Sequence, residues 1–442
     1  MLIEAQKHKM AATAIYPPLG IACLEAYIEK YADFPVEIKT ISTDNPEAAI
    51  QAISGTQNGQ NAGSSGFEPD IIGISAVTEG FTRAGEIAVL LKSKYGNIPV
   101  LLGGCHISAI PESLPEAFDA AVIGEGEITF LRIISVLYQK GSLTGEDYLS
   151  IPGMMVRING NPVFSPFRPP IEDLDTIPYP RRSIPRLGIT HMVTSRGCPF
   201  SCIYCATFAL WGKVRAHSPE YVTNEIKYLY ENLGIRQIIL FDDNFTASPK
   251  RVKIIADNLE KENLNGKISY LCYGRTRAVS RELVSDLARL GVDEIYLGAD
   301  SVQDSRIEGG RLDKASLAKN QTSVDICHNA GMRVNCSFVI GLPGQTKEDL
   351  DDIYNFIDNN RSKLTGIQVS PINLFPGTPL WEYAVNKGKL PKQIKDWSVL
   401  ENFTHISGFT PENYIYLNEN MSIETFTDYC RKFDNLVTGV IT

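Results

Sequence analysis

The chain has 442 residues, of which 43% are hydrophobic and 21% charged, with a formal net charge of −9. That balance is globular, and the length suits two or three domains that bury cores without disulfide staples. It excludes broad electrostatic binding to nucleic acid or anionic lipid, and no apolar run is long enough for a membrane span.

In chain order, residues 1–142 alternate short apolar runs with amphipathic stretches. Strands are predicted over 2–5, 36–41, 71–77, 100–103 and 120–123, and helices over 20–30 and 83–94. Runs buried on both faces and separated by helices predict a parallel sheet in a doubly wound, Rossmann-like domain, with ligands at the strands' carboxyl ends. Residues 54–66 (SGTQNGQNAGSSG) read as a mobile surface loop. Prolines crowd residues 165–182, so 143–187 is expected to be an extended, proline-rich linker.

From Gly188 the alternation resumes, with strands over 189–195, 237–241, 268–273, 294–299, 334–340 and 367–374. Ser218-Pro219 and Ser248-Pro249 place a capping hydroxyl before a first-turn proline, and Ser280 opens a helix that Gly291 closes. Six strand–helix units suit an open partial barrel over 188–390, with chemistry at its carboxyl ends. Residues 391–442, with Trp397, Phe403 and a helix over 423–436, are expected to form a small C-terminal cap.

The sharpest local feature is RGCPFSCIYC, Arg196–Cys205, directly after the first barrel strand. Its C-x3-C-x2-C spacing puts the thiols of Cys198, Cys202 and Cys205 in one loop at the strands' carboxyl end. Three soft ligands from one loop are able to hold three irons of a four-iron cluster and leave the fourth open. A structural zinc site is the rival, with His191 or His217 as fourth ligand, although the spacing fits zinc patterns poorly. The other six of the nine cysteines are scattered, several in apolar segments (Cys23, Cys272, Cys336), and the N-terminus lacks a secretion-signal pattern. The expected location is therefore the reducing cytoplasm.

With Tyr204 in the aromatic position of C-x3-C-x-aromatic-C, the segment over roughly 188–391 resembles the radical S-adenosylmethionine superfamily. The resemblance implies a 4Fe-4S cluster whose open iron binds S-adenosyl-L-methionine, with a 5′-deoxyadenosyl radical abstracting hydrogen from substrate. It also implies roles at the strand ends. Asp242 and Asp243 stand where the family holds the methionine amino group, although a Gly-Gly-Glu found in other members is replaced here by acidic residues. Arg275 and Arg277 would meet the methionine carboxylate, with an internal salt bridge to the aspartate pair as the alternative. Asp300 and Ser301 resemble the segment that meets the ribose. Gly341 would permit close backbone approach.

The first domain resembles the cobalamin-binding domain fused to many members of that superfamily. The matching pieces are Tyr16-Pro17-Pro18-Leu19-Gly20, Ser75-Ala76-Val77, Gly103-Gly104-Cys105-His106 and Gly124-Glu125. On this resemblance Ser75, Val77, Gly103, Gly104, His106, Gly124 and Glu125 belong to the cobalamin site. The D-x-H-x-x-G element is absent, so no histidine is placed by that motif beneath cobalt, and a hydrogen-bonding role for His106 stays open. A Rossmann-like cobalamin domain before a radical partial barrel implies C-methylation of an unactivated sp3 carbon through methylcobalamin. The alternatives are a radical rearrangement, cyclisation or oxidation without methyl donation by cobalamin, and a non-catalytic metal-binding module. The expected partners are a low-potential donor of flavodoxin or ferredoxin type and a small-molecule, protein or peptide substrate. The sequence assigns no catalytic side chain.

Overall fold

The computed structural model describes residues 1–6, 18–54, 56–57, 60–61, 67–182, 188–299, 314–391, 394, 397–400 and 406–438. Tyr16, Pro17, Asp300 and Ser301 lie outside them. The chain divides into two units.

In the first unit the elements are β1 (Leu2–Ala5), α1 (Leu19–Tyr31), β2 (Thr40–Thr43), α2 (Pro46–Ser54), β3 (Ile72–Ala76), α3 (Phe81–Tyr95), β4 (Val100–Gly103), α4 (Cys105–Ala109), β5 (Ala120–Val122) and α5 (Glu127–Lys140). Strands such as VLLG and AAV carry no polar face, so both sides must be covered by helices. Their parallel order, β2-β1-β3-β4-β5, is the flavodoxin-like member of the doubly wound class, whose ligand crevice lies at the switch between β1 and β3. The strand expected over 36–41 is displaced to Thr40–Thr43, because its partner β1 offers only four residues, pairing Leu2 with Thr40 and Ala5 with Thr43. Val36 is left exposed. Of the glycine-rich stretch over 54–66, Ser54 ends α2 and Thr56–Gln57 pairs antiparallel with Gln60–Asn61, and the remainder lies outside the described residues.

The linker expected over 143–187 is largely part of this unit. Thr144 and Asp147 form a reciprocal capping box that starts α6 (Gly145–Ser150). Next, β6 (Met154–Ile158) and β7 (Asn161–Phe164) extend the sheet by an antiparallel hairpin. The physical reason is legible: Met154, Met155 and Val156 are buried. Asn159 (φ 53°) and Gly160 (φ 78°) supply the left-handed pair that a two-residue hairpin turn requires. The following prolines do run extended, yet they are tied down. Arg168 donates to Thr129 Oγ1 (2.6 Å), and Ile171 N donates to Glu125 (2.6 Å).

The second unit holds β8 (Ile189–Met192), α7 (Ala206–Trp211), α8 (Pro219–Leu233), β9 (Gln237–Leu240), α9 (Pro249–Lys261), β10 (Ser269–Arg275), α10 (Arg281–Leu290), β11 (Val292–Gly298), α11 (Lys314–Asn329), β12 (Arg333–Ile340), α12 (Lys347–Asn359), β13 (Gly366–Pro371), α13 (Pro379–Asn386) and α14 (Ile423–Thr438). Its six strands are all parallel, and each pairs only with its sequence neighbours, as in a barrel left open. The caps act as expected: Ser218, Ser248 and Ser280 each accept a backbone N–H in the first turn, and Gly291 ends α10 in the left-handed region.

The main core lies between the sheet and its helices. Alternate strand residues (Ile238, Leu240, Tyr270, Cys272, Ile295, Leu297, Val334, Cys336) meet the stripes of Val222, Ile226 and Leu229, of Ile255 and Leu259, and of Leu283 and Leu287.

The tail is not a separate cap. Helix α14 inserts Phe426, Cys430, Phe433 and Leu436 into the same core. The turn Trp397–Leu400 groups instead with the first unit, where Trp397 packs edge-on to Phe81 and His106. Among the described residues no helix is long and apolar enough to cross a membrane.

Candidate functional site

The cysteine loop leaves β8 and is gathered at its base by a short antiparallel ladder, Ser195 with Ala216 and Arg196 with Arg215. Within it Cys205 N donates to Cys202 O (3.0 Å), forming the turn that carries Tyr204, and Cys205 then opens α7. The carbonyl of Ile203 accepts from Leu380 N (3.0 Å), which fixes the loop to the first turn of α13. Cys198, Cys202 and Cys205 are half-buried cysteines. Burial pushes the Cys198 thiol above its ordinary pKa, while the Phe200 N–H and the Arg275 charge oppose that shift.

Among the described residues no three acidic, histidine or cysteine side chains converge on one point as a single metal ion requires. His217, a proposed fourth zinc ligand, is engaged elsewhere: its Nδ1 lies 3.2 Å from Asp175 Oδ1 and its ring stacks on Tyr221. Three separate thiols on one braced loop do fit a cluster that takes each on a different iron.

The two aspartates after β9 differ in what they touch. Asp242 is 2% exposed and accepts from Thr194 N and Oγ1 (2.5 Å each) and from Ser195 N (2.8 Å). Arg251 completes this buttress, donating to Thr194 Oγ1 (3.0 Å), Thr194 O (2.9 Å) and His217 O (3.0 Å). Burial raises the pKa of Asp242, and the Thr194 hydroxyl and Arg251 work against that. Asp242 therefore lies buried behind the backbone that enters the loop. Asp243 keeps an exposed edge and accepts from Gly197 N (3.2 Å) and Thr207 Oγ1 (3.0 Å).

The expected cation pair separates. Arg275 lies over the ring of Phe200, inside the cysteine loop, at 4.9 Å. Arg277 instead reaches Ser316 on α11 (3.4 Å). Gly341 belongs to packing: at φ 86° its backbone suits glycine, and a Cβ there would stand 2.8 Å from Phe426 Cζ. Its N–H is taken by Gln345 Oε1 (2.6 Å), and Asn418 Nδ2 donates to the Gln345 carbonyl (2.7 Å).

Sequence reading passed over the sheet's other face. Phe241, Tyr273 and Tyr296 are out of phase with the helix-packed residues, so they share the opposite face. Tyr273 stands beside Tyr296 in register, and ring centroids are 5.4 Å (Phe241–Tyr273) and 5.3 Å (Tyr273–Tyr296) apart. Phe241 is 48% exposed. Two residues further along the same strands come Asp243, Arg275 and Gly298, so the cysteine loop overlies the carboxyl end of this aromatic row. Period-two alternation was the signal for it.

In the first unit, Ser75, Val77, Gly103, Gly104 and Gly124 gather at the carboxyl edge of β3, β4 and β5. Gly104 (φ 102°) lets two strand ends close up, since a Cβ there would lie 2.5 Å from Ala76 O. Around Gly124 a Cβ would meet nothing within 4 Å, and Val77 is half exposed. Small side chains and open space along this edge fit a large ligand laid across it. His106 does not join them as an accessible donor: it is 1% exposed, stacked on Phe81 (3.8 Å) and near Thr78 Oγ1 (3.2 Å). Burial lowers its pKa to about 3. Glu125 is committed to the Ile171 N–H.

Family profiles match both units: the B12 binding domain over residues 10–134 and the Radical SAM superfamily over 192–357. Among curated proteins, an uncharacterized methyltransferase of Pyrococcus horikoshii is 29% identical over 90% of this chain and 84% of its own length. An anaerobic magnesium-protoporphyrin IX monomethyl ester cyclase of Rubrivivax gelatinosus is 25% identical over 77% of this chain, which spans about three-fifths (61%) of that enzyme. Among solved structures, the radical S-adenosylmethionine methyltransferase TsrM from Kitasatospora setae superposes with a TM-score of 0.68 at 19% identity, covering 87% of this chain and 75% of that one. At that identity the likeness is one of fold.

Proposed function

Because this chain belongs to the radical S-adenosylmethionine superfamily and carries a B12-binding domain ahead of the radical domain, we propose that it is a C-methyltransferase acting on an unactivated sp3 carbon. Its cofactors are a 4Fe-4S cluster, S-adenosyl-L-methionine and cobalamin. When bound, they supply a hydrogen-abstracting carbon radical and a methyl carrier.

The residues divide the work. Cys198, Cys202 and Cys205 hold three irons, and Tyr204 shapes the turn between the last two thiols. Arg275, already beside the loop, orients the methionine carboxylate by charge-assisted hydrogen bonds. Phe241, Tyr273 and Tyr296 receive the apolar body of the substrate and keep water from the reacting carbon. Ser75, Val77, Gly103, Gly104 and Gly124 line the corrin side. His106 is not a cobalt ligand in this reading. A flavodoxin- or ferredoxin-like donor in the reducing cytoplasm supplies the low-potential electron.

The observation that carries the reading is the cysteine loop lying over the open aromatic face of a six-stranded parallel sheet. The methyltransferase relative supports methylation. The cyclase relative supports a second reading, a radical cyclisation or oxidation in which cobalamin gives no methyl group. Reconstituted enzyme, trideuteromethyl S-adenosylmethionine and a metabolite extract of the host distinguish the two. Methylation predicts a product carrying the labelled methyl group. Deoxyadenosine formed with host substrate consumed and no label transferred supports the second reading.

A further inference from the structure

We infer that Asp243 is a positioning residue for the cluster loop, tying its two flanks together. The inference rests on the loop's assignment as the cluster site. One carboxylate, delivered by the end of β9, reaches both sides of the three cysteines. Asp243 Oδ2 accepts from Gly197 N, immediately before Cys198, and Oδ1 accepts from Thr207 Oγ1, two residues after Cys205. Both bonds lie on the protein's own groups, and both close the loop.

The chemistry explains why such a tie matters. Three thiolates repel one another and share no covalent link until iron arrives. An untethered segment of this length loses about 1–2 kcal/mol of backbone entropy per residue when the cluster orders it. A tie across both flanks lowers that cost before loading. Asp242 serves the upstream backbone at Thr194 and Ser195, so the paired aspartates divide into an anchor behind the loop and a clasp across it. The Ile203–Leu380 bond fixes the middle of the loop, and the Arg196–Arg215 ladder and the Arg196 guanidinium over Trp211 (5.4 Å) join the flanks further out, whereas Asp243 ties them at Gly197 and Thr207, nearer the thiols in sequence.

Thr207 makes the idea testable without disturbing the carboxylate. Full-length wild type and the variants Thr207→Val, Thr207→Ser and Asp243→Asn are loaded anaerobically with iron and sulfide. Loss of cluster absorbance to a ferrous chelator is timed, and spectra of the reduced cluster are taken with and without S-adenosylmethionine. Groups that orient metal ligands from behind typically change metal retention by about 10–100-fold. Thr207→Val should therefore lose iron roughly tenfold faster, Thr207→Ser should match wild type, and the cluster-bearing fraction of Asp243→Asn should still shift its spectrum on adding S-adenosylmethionine. Wild-type retention in Thr207→Val overturns the inference. So does an Asp243→Asn protein that keeps its cluster normally but no longer responds to S-adenosylmethionine, which is the signature of an amino-group ligand. A wild-type chain that forms no cluster overturns the reading of the loop itself, and the clasp with it.

Discussion

Asp242 holds Thr194 by two hydrogen bonds at once, from its backbone N–H and from its hydroxyl, each 2.5 Å. The carboxylate is buried beside Arg251, and together they fix the backbone that enters the cysteine loop. Removing Asp242 leaves Arg251 with only Asp175 to offset its charge and strips the buried Thr194 and Ser195 N–H groups of their acceptor. Asp242→Ala should destabilise the second unit by about 3–5 kcal/mol. Denaturant unfolding followed on that unit checks it, and a cost below about 1 kcal/mol would show that the buttress is dispensable.

On the proposed function, each of the three loop thiols should be separately required. Replacing any one of Cys198, Cys202 and Cys205 with alanine should abolish the reconstituted chromophore and deoxyadenosine formation while leaving the far-ultraviolet circular dichroism intact. By contrast, Cys272→Ala, which changes a core thiol, should retain the chromophore.

Gly341 tests the division between packing and binding. A Cβ there meets Phe426 and must adopt a positive φ, so Gly341→Ala should cost about 1–3 kcal/mol of stability. S-adenosylmethionine affinity of the folded fraction should not change. A selective loss of affinity at full stability would return this turn to the ligand.

Phe241 is the most exposed ring of the aromatic row. Covering its exposed half is worth about 0.7–1.5 kcal/mol, half the value for burying a whole side chain of that size. Phe241→Ala should therefore weaken substrate binding about 3–10-fold while iron content and substrate-free cleavage of S-adenosylmethionine stay as in wild type.

His106 gives the first unit a pH signature. Burial depresses its pKa to about 3, so the unfolded state takes up a proton first as pH falls below 6.5. The stabilisation is complete above that value and is lost on acidification toward 3, by about 1.4 kcal/mol per pH unit. The melting temperature of the first unit should fall between pH 7 and 5, with a shallower slope in His106→Leu.

Much of this was legible in the residues. The strands of both units, the serine caps and the cysteine loop follow from periodicity, from capping chemistry and from three thiols at fixed spacing. The hairpin of β6 and β7 was missed because the prolines beyond it outweighed Asn159-Gly160, a two-residue turn signal in plain view. The tail was misjudged for another reason: which core Phe426 or Trp397 enters is a tertiary choice that local pattern does not encode. Asp242 and Asp243 are adjacent and chemically identical, and only strand alternation, which turns one inward and the other toward the loop, separates their tasks.

The most direct measurement is the electron paramagnetic resonance spectrum of oxygen-free, dithionite-reduced protein before and after adding S-adenosylmethionine. A cubane-type signal that shifts on addition is expected from three protein thiolates and one iron open to the sulfonium ligand. No such signal, or one indifferent to S-adenosylmethionine, would contradict the assignment.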